Sequence, residues 1–186
     1  YARRAREFGF RSTAIDYDFS DVMARVRRVI EKVEPHDSVE RYTGLGVDVI
    51  QGEARITSPF TVAVGNQTLT TRNIIVATGA RPLVPPIPGL DQVDYLTSDN
   101  VWDLRELPSR LVVLGGGPIG CELTQTFARL GSTVSQVEML PRLLLREDAD
   151  ISDMVARRFT AEGIRLLTGH KAKQVRVDGG RKVLVC

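Results

Sequence analysis

Gly115, Gly117 and Gly120 stand at the three glycine positions of a G-x-G-x-x-G pattern. That spacing suits one kind of chemistry, the holding of a pyrophosphate at a strand-to-helix turn. Gly115 permits the tight turn. Gly117 lets the main chain approach a phosphate with no side chain between, and Gly120 allows the helix to pack closely on the strand. Pro118 takes the first helical position, where a missing N–H costs nothing. Ile119 and Gly120 follow at the positive end of the helix dipole. Glycines so spaced also occur in ordinary turns, so the neighbouring residues decide what the pattern means.

Those neighbours supply a complete context. The apolar run Leu111 to Leu114 precedes the glycines as a strand, and Ile119, Leu123, Phe127 and Leu130 recur at helical spacing as one buried stripe. A second strand, Thr133 to Val137, ends at Glu138, close to the interval of about 20 residues expected for the acid that binds the adenosine ribose. A carboxylate there accepts hydrogen bonds from a free 2′-hydroxyl and repels a 2′-phosphate, so NADH is favoured over NADPH. Arg142, shortly after, is a residue that could hold a 2′-phosphate instead.

The remaining reactive side chains form no second constellation. Cys121 and Cys186 are too few and too far apart for a disulfide framework or a zinc site, and no metal site is expected. Cys121, in the first turn of the glycine-loop helix, reads as a small buried hydrophobe rather than a reactive thiol. His36 beside Pro35 and His170 after Gly169 read as solvated. The net charge of +2 gives no strong pull toward nucleic acid or anionic lipid. The basic cluster of Arg3, Arg4, Arg6 and Arg11 with Arg25, Arg27 and Arg28 lacks interleaved aromatics and reads as solvated helix face. No apolar run is long enough to cross a bilayer, and the first residues lack a secretory h-region, so a soluble, cytoplasmic protein is expected.

The elements that must position the glycines divide in two. Residues 18 to 34 predict an amphipathic helix with Asp18 or Ser20 as its cap, ending before Pro35. Short β-rich runs follow: Val47 to Ile50, Ala54 to Ile56, Phe60 to Val64 and Asn73 to Ala77, with Gly65 and Asn66 as a hairpin turn. Pro82, Pro85, Pro86 and Pro88 then break regular structure, and the domain boundary is expected just after them. Beyond it, strands at Leu111 to Leu114, Thr133 to Val137 and Ile164 to Leu167 alternate with helices at Ile119 to Leu130 and Ile151 to Glu162, stopped by Gly131 and Gly163. A hairpin from Gln174 to Val177 and Lys182 to Val185, turning at Asp178, Gly179 and Gly180, closes the chain. The predicted class is α/β: a Rossmann-like three-layer fold with a parallel sheet, covering helices and a small antiparallel β-meander, in two incomplete domains.

The segment Thr71 to Pro82, containing Ala77, Thr78 and Gly79, then Pro88 and Gly89, then the glycine turn, resembles the pyridine nucleotide-disulfide oxidoreductases. The resemblance extends to members such as mercuric reductase and dihydrolipoamide dehydrogenase and covers essentially the whole chain. It implies that residues 1–90 are part of an FAD-binding domain and residues 91–186 a C-terminally truncated NAD(P)-binding domain. Tyr1 to Phe10 is similar to the helix following the family's redox cysteines. By the same resemblance the backbone of Thr78 and Gly79 meets the flavin nucleotide and Ala54 meets its adenine. Glu122 matches a carboxylate near the flavin, and Pro118 replaces the aromatic gate of some relatives.

The resemblance implies a central fragment in which NAD(P)H reduces FAD and FAD an active-site disulfide. The paired cysteines, the first FAD glycine motif and the C-terminal dimerisation domain fall outside this sequence. The expected parent is a homodimer acting on a small-molecule, metal-ion or disulfide substrate, with no nucleic acid or membrane partner, and the fragment alone is expected to be inactive. Two alternatives stand beside this reading: a non-catalytic NAD(H)-binding module, and a same-fold flavin reductase without the redox disulfide.

Overall fold

A computed structural model of the chain describes residues 2–186, with side chains from Ala5 onward. Its elements in chain order are α1 (Phe19–Val33), α2 (Val39–Gly44), β1 (Ala54–Ser58), β2 (Thr61–Val64), β3 (Gln67–Thr70), β4 (Arg110–Leu114), α3 (Pro118–Arg129), β5 (Thr133–Glu138), α4 (Ala149–Ala161), β6 (Arg165–Thr168), β7 (Gln174–Asp178) and β8 (Arg181–Val185), joined by short 3-10 turns. The chain divides into two compact units, residues 1–25 with 82–186 and residues 26–81.

In the larger unit, β4, β5 and β6 form a parallel sheet with β5 in the centre. Cys121 of α3 and Phe159 of α4 pack into one core with Leu143 and Ile164, so both helices cover the same face. Returning the chain to that face twice makes each strand-helix-strand step a crossover in the same sense, as twisted parallel strands require. Gly131 and Gly163 follow the two helices at φ +107° and +82°, left-handed positions that reverse the chain without a Cβ penalty. The β7–β8 hairpin is held to the proline segment, where Val175 N–H donates to the Pro88 carbonyl at 2.8 Å. A Cβ on Gly89 would land on the Val175 carbonyl oxygen, which explains a glycine after Pro88.

Near the chain start, Asp18 caps α1 by accepting the Ser20 N–H at 2.7 Å. The phenol of Tyr17 donates to the Leu130 carbonyl, and Phe19 packs on Phe127 with ring centroids 6.2 Å apart. The segment expected as a helix over Tyr1–Phe10 is a 3-10 helix over Ala2–Phe8; Tyr1 and the side chains of Arg3 and Arg4 lie outside the described residues.

The smaller unit holds the β1–β2–β3 antiparallel meander, with Gly65 at φ +55° in the turn expected there. Strand β3 and helix α2 were not anticipated, since their short polar runs carry no hydrophobic period. Two expected strands are corrected. Val47 to Ile50 and Asn73 to Ala77 are in no sheet. Ile75 and Val76 are 90% and 66% exposed, and no described strand pairs with them. A β-prone sequence becomes a strand only when a neighbour takes up its ladder hydrogen bonds. The expected buried stripe on α3 is corrected too. Phe127 is buried and Leu123 and Leu130 are half-buried as expected, but Ile119 is 60% exposed, and Cys121 and Thr124 join Phe127 on the buried face.

Candidate functional site

The site starts from the central strand. Thr133, Val134, Ser135, Gln136, Val137 and Glu138 make a strand buried along most of its length, and Gln136 and Glu138, two residues apart, project on one side of it. Both are polar and nine-tenths or more buried, which is costly unless each has a partner. The partner is the glycine turn. Gln136 Nε2 donates to the Gly115 carbonyl at 2.9 Å, and Glu138 Oε2 accepts the Gly116 N–H at 2.5 Å. The two groups held are the C=O and the N–H of a single peptide unit.

Further contacts fix the rest of the turn. Gly115, at φ +102°, donates its own N–H to the Val137 carbonyl at 2.8 Å. The Gly116 carbonyl accepts the Leu144 N–H at 2.8 Å and lies 3.5 Å from the Cys121 thiol, which donates to it. Leu144 sits at φ +48°, the one described non-glycine residue in left-handed backbone. A strained residue beside a ligand loop is a recurrent mark of function. Its carbonyl is tied by Ser152 Oγ at 3.3 Å, and its neighbour Leu143 is buried against the turn.

The glycines divide by what surrounds them. A Cβ on Gly116 would sit 2.8 Å from Leu143 Cδ2 and 3.0 Å from Glu138 Cγ, and one on Gly120 would land on the Gly115 carbonyl oxygen. A Cβ on Gly117 would meet nothing. Gly116 and Gly120 are therefore glycines for packing, and Gly117 faces open space, as a residue approached by a ligand must. Pro118 begins α3 after Gly117 at φ −74° and ψ 178°. The first-turn N–H groups of Ile119 and Gly120 have no acceptor within the helix. A pyrophosphate fits this cradle, with its charge facing the helix N-terminus.

Glu138 fits a ribose as well. Its second oxygen, Oε1, accepts the Leu140 N–H at 2.7 Å. A carboxylate offers about four acceptor positions, so two remain for sugar hydroxyls. Arg142 donates to the Leu145 carbonyl at 3.1 Å. Burial pushes the Cys121 thiol above its ordinary value, with Glu138 and Glu122 adding to the rise against the hydrogen bond from Gln136. The thiol stays protonated and serves as a donor, in keeping with a packed rather than a reactive cysteine.

Gly115, Gly117, Pro118, Ile119, Gly120 and Glu138 are thus brought together at one turn, with Glu122 exposed on the same helix. Ala54, Thr78 and Gly79 lie in the smaller unit. Ala54 opens β1 opposite Val64, and Thr78 and Gly79 are exposed in chain that belongs to no sheet, Gly79 at φ +69°. Among the described residues no group of His, Cys, Asp or Glu could hold a metal ion, and no helix is long and apolar enough to cross a membrane. Sequence reasoning passed over Gln136 and Leu144. Gln136 gave a signal, an uncharged polar residue at strand spacing from the acid, whereas the backbone of Leu144 gave none.

Strand, glycine turn, helix and acid-ended second strand define a Rossmann-like fold of the FAD/NAD class. Comparison with known proteins carries this further: the chain belongs to the pyridine nucleotide-disulphide oxidoreductase family, whose profile matches residues 6–185. It is 35% identical over 174 residues to a mercuric reductase of Bacillus cereus, covering 94% of this chain and 28% of that protein. It is 31% identical over 178 residues to a dihydrolipoyl dehydrogenase of Acholeplasma laidlawii, covering 93% of this chain and 53% of that one. The HOCl-induced flavoprotein disulfide reductase RclA of Escherichia coli superposes with a TM-score of 0.78 at 28% identity, over 91% of this chain and 39% of its own. The chain therefore spans between about a quarter and about a half of these relatives.

Proposed function

We propose that this chain is the nicotinamide-dinucleotide-binding portion of an FAD-dependent disulfide oxidoreductase, with NADH favoured over NADPH. The observation that carries the reading is the buried Glu138 carboxylate, which touches the glycine turn and keeps two acceptor positions for the ribose. A 2′-phosphate would bring negative charge against that carboxylate with little water between them. Arg142, engaged with Leu145, is turned to its own loop.

NADH supplies a hydride when bound, and the protein's part is orientation and electrostatics. Gly117 admits the pyrophosphate, the N–H groups of Ile119 and Gly120 hydrogen-bond it, and Glu138 fixes the adenosine end. Pro118 leaves the nicotinamide side of the turn without an aromatic gate. In the whole protein the hydride acceptor is FAD, approached by Ala54, Thr78 and Gly79, and Glu122 lies near the flavin. Electrons pass on to an active-site disulfide and then to a small-molecule or metal-ion substrate, in a cytoplasmic homodimer. The isolated chain binds dinucleotide without turnover. Calorimetric titration of the purified chain with NADH and NADPH tests the reading. Tighter binding of NADH is expected, and a clear preference for NADPH overturns the role of Glu138.

A further inference from the structure

Gln136 is 1% exposed, and its amide is only half satisfied. Because the Gly115 carbonyl can only accept, the nitrogen of the amide must face it, and Nε2 also lies 3.6 Å from Cys121 Sγ. This orientation leaves Oε1 buried with no hydrogen-bond partner among the described residues. An orphaned buried carbonyl destabilises a fold, and an apolar side chain of the same length would exchange it for an unpartnered Gly115 carbonyl at little net cost. The fold alone therefore does not account for glutamine at this position.

The turn does account for it. Gln136 and Glu138 grip opposite ends of the Gly115–Gly116 peptide, one taking its C=O and the other its N–H. With both ends held the peptide cannot rotate. Were it to flip, the Gly115 oxygen would leave Gln136 and face the Glu138 carboxylate, the Gly116 N–H would lose its acceptor, and the backbone leading into Gly117 and the first turn of α3 would be displaced. We propose that Gln136 is a positioning residue for dinucleotide binding: it fixes the Gly115–Gly116 peptide so that the turn is already in its phosphate-accepting form before ligand arrives. Arranging donors in advance lowers the ordering cost of binding. The inference rests on the dinucleotide-binding reading of this same turn.

The test is Gln136→Met in the whole flavin-containing protein, with NADH as the probe. Methionine keeps length and volume, removes the donor and removes the orphaned carbonyl. The KM for NADH and its dissociation constant are expected to rise about five- to tenfold, the worth of one well-placed hydrogen bond. Bound flavin and kcat should stay unchanged, and the melting temperature should stay level, because the orphaned Gln136 carbonyl is exchanged for an unpartnered Gly115 carbonyl. Gln136→Leu, also donorless, should repeat the pattern. A variant that binds NADH as tightly as the parent overturns the proposal and leaves the dinucleotide reading intact. A variant that loses stability and affinity together, or fails to fold, overturns it as well, since Gln136 would then be structural. If the unmodified protein binds neither NADH nor NADPH, the underlying reading falls and the proposal with it.

Discussion

Glu138 accepts the Gly116 N–H at 2.5 Å, joining the end of β5 to the glycine turn. The same carboxylate accepts the Leu140 N–H at 2.7 Å, so it secures the turn on one side and the following loop on the other. Glu138→Gln should expose this double duty. An amide has one oxygen and cannot accept both N–H groups as well as the ribose. NADH affinity measured by calorimetry is expected to fall about tenfold, ~1.4 kcal/mol. NADPH affinity should fall less or improve, because the charge opposing its 2′-phosphate is gone. Equal losses for both dinucleotides would remove Glu138 from cofactor discrimination.

Two glycines of the turn should respond to alanine in opposite ways. At Gly120 the new methyl lands on the Gly115 carbonyl oxygen, which is backbone and cannot rotate aside. Gly120→Ala is expected to destabilise the fold by about 1–3 kcal/mol, as overpacking does, read as a lower midpoint in urea. At Gly117 the methyl enters open space from an ordinary φ of −74°. Gly117→Ala should leave the midpoint unchanged and weaken NADH binding about tenfold, because the methyl occupies the path of the pyrophosphate. A Gly117→Ala protein with full affinity would show that ligand does not approach there.

The contrast between these glycines bears on what could be read from sequence. The order of β4, α3, β5, α4 and β6 was legible because each element carries a period of its own and is bounded by a glycine or proline. Asn73 to Ala77 carries an equally strong β signal yet lies outside any sheet, since pairing depends on a neighbour that local sequence does not specify. Within the turn, the spacing of Gly115, Gly117 and Gly120 was legible, whereas Gln136 and Leu144 were not. The contribution of Gln136 is a hydrogen bond across two strands, and that of Leu144 a main-chain N–H presented from left-handed backbone. The strand spacing of Gln136 from Glu138 marks a shared face without naming the bond, and Leu144 has no sequence mark at all. Ile119 misled for a related reason: helical spacing marks a face without saying whether that face meets the core.

Stability should carry a pH signature from the ends of α3 and α4. Glu162 receives Arg129 through two hydrogen bonds of 2.7 and 3.0 Å, Arg158 at 2.6 Å and Gln125 at 3.2 Å. Hydrogen bonding from Arg129, followed by that from Arg158, holds its carboxyl below the ordinary value of 4.5, against the opposing effect of partial burial. A carboxyl whose pKa is lowered by folding stabilises the native state above its unfolded pKa, and that stabilisation is lost as pH falls through the depressed folded value. Glu162→Gln is therefore expected to cost about 1 kcal/mol at neutral pH. Urea midpoints of the two proteins should converge as pH drops below the ordinary carboxylate range. A difference that persists undiminished in acid would mean that the loss is one of packing rather than charge.

Glu122 offers the most direct route from this chain to the chemistry of the whole protein. It is exposed on α3 next to Cys121, and its charge contributes to raising that thiol. Glutamine keeps the shape and the helix propensity, so Glu122→Gln should leave the fold and NADH affinity unchanged. If the carboxylate lies near the flavin, removing its charge should slow reduction of the flavin by NADH about tenfold in rapid-mixing absorbance measurements, a loss of the size expected when one charged group leaves a reacting centre. An unchanged rate of flavin reduction in a variant that binds NADH as tightly as the parent would exclude Glu122 from hydride transfer.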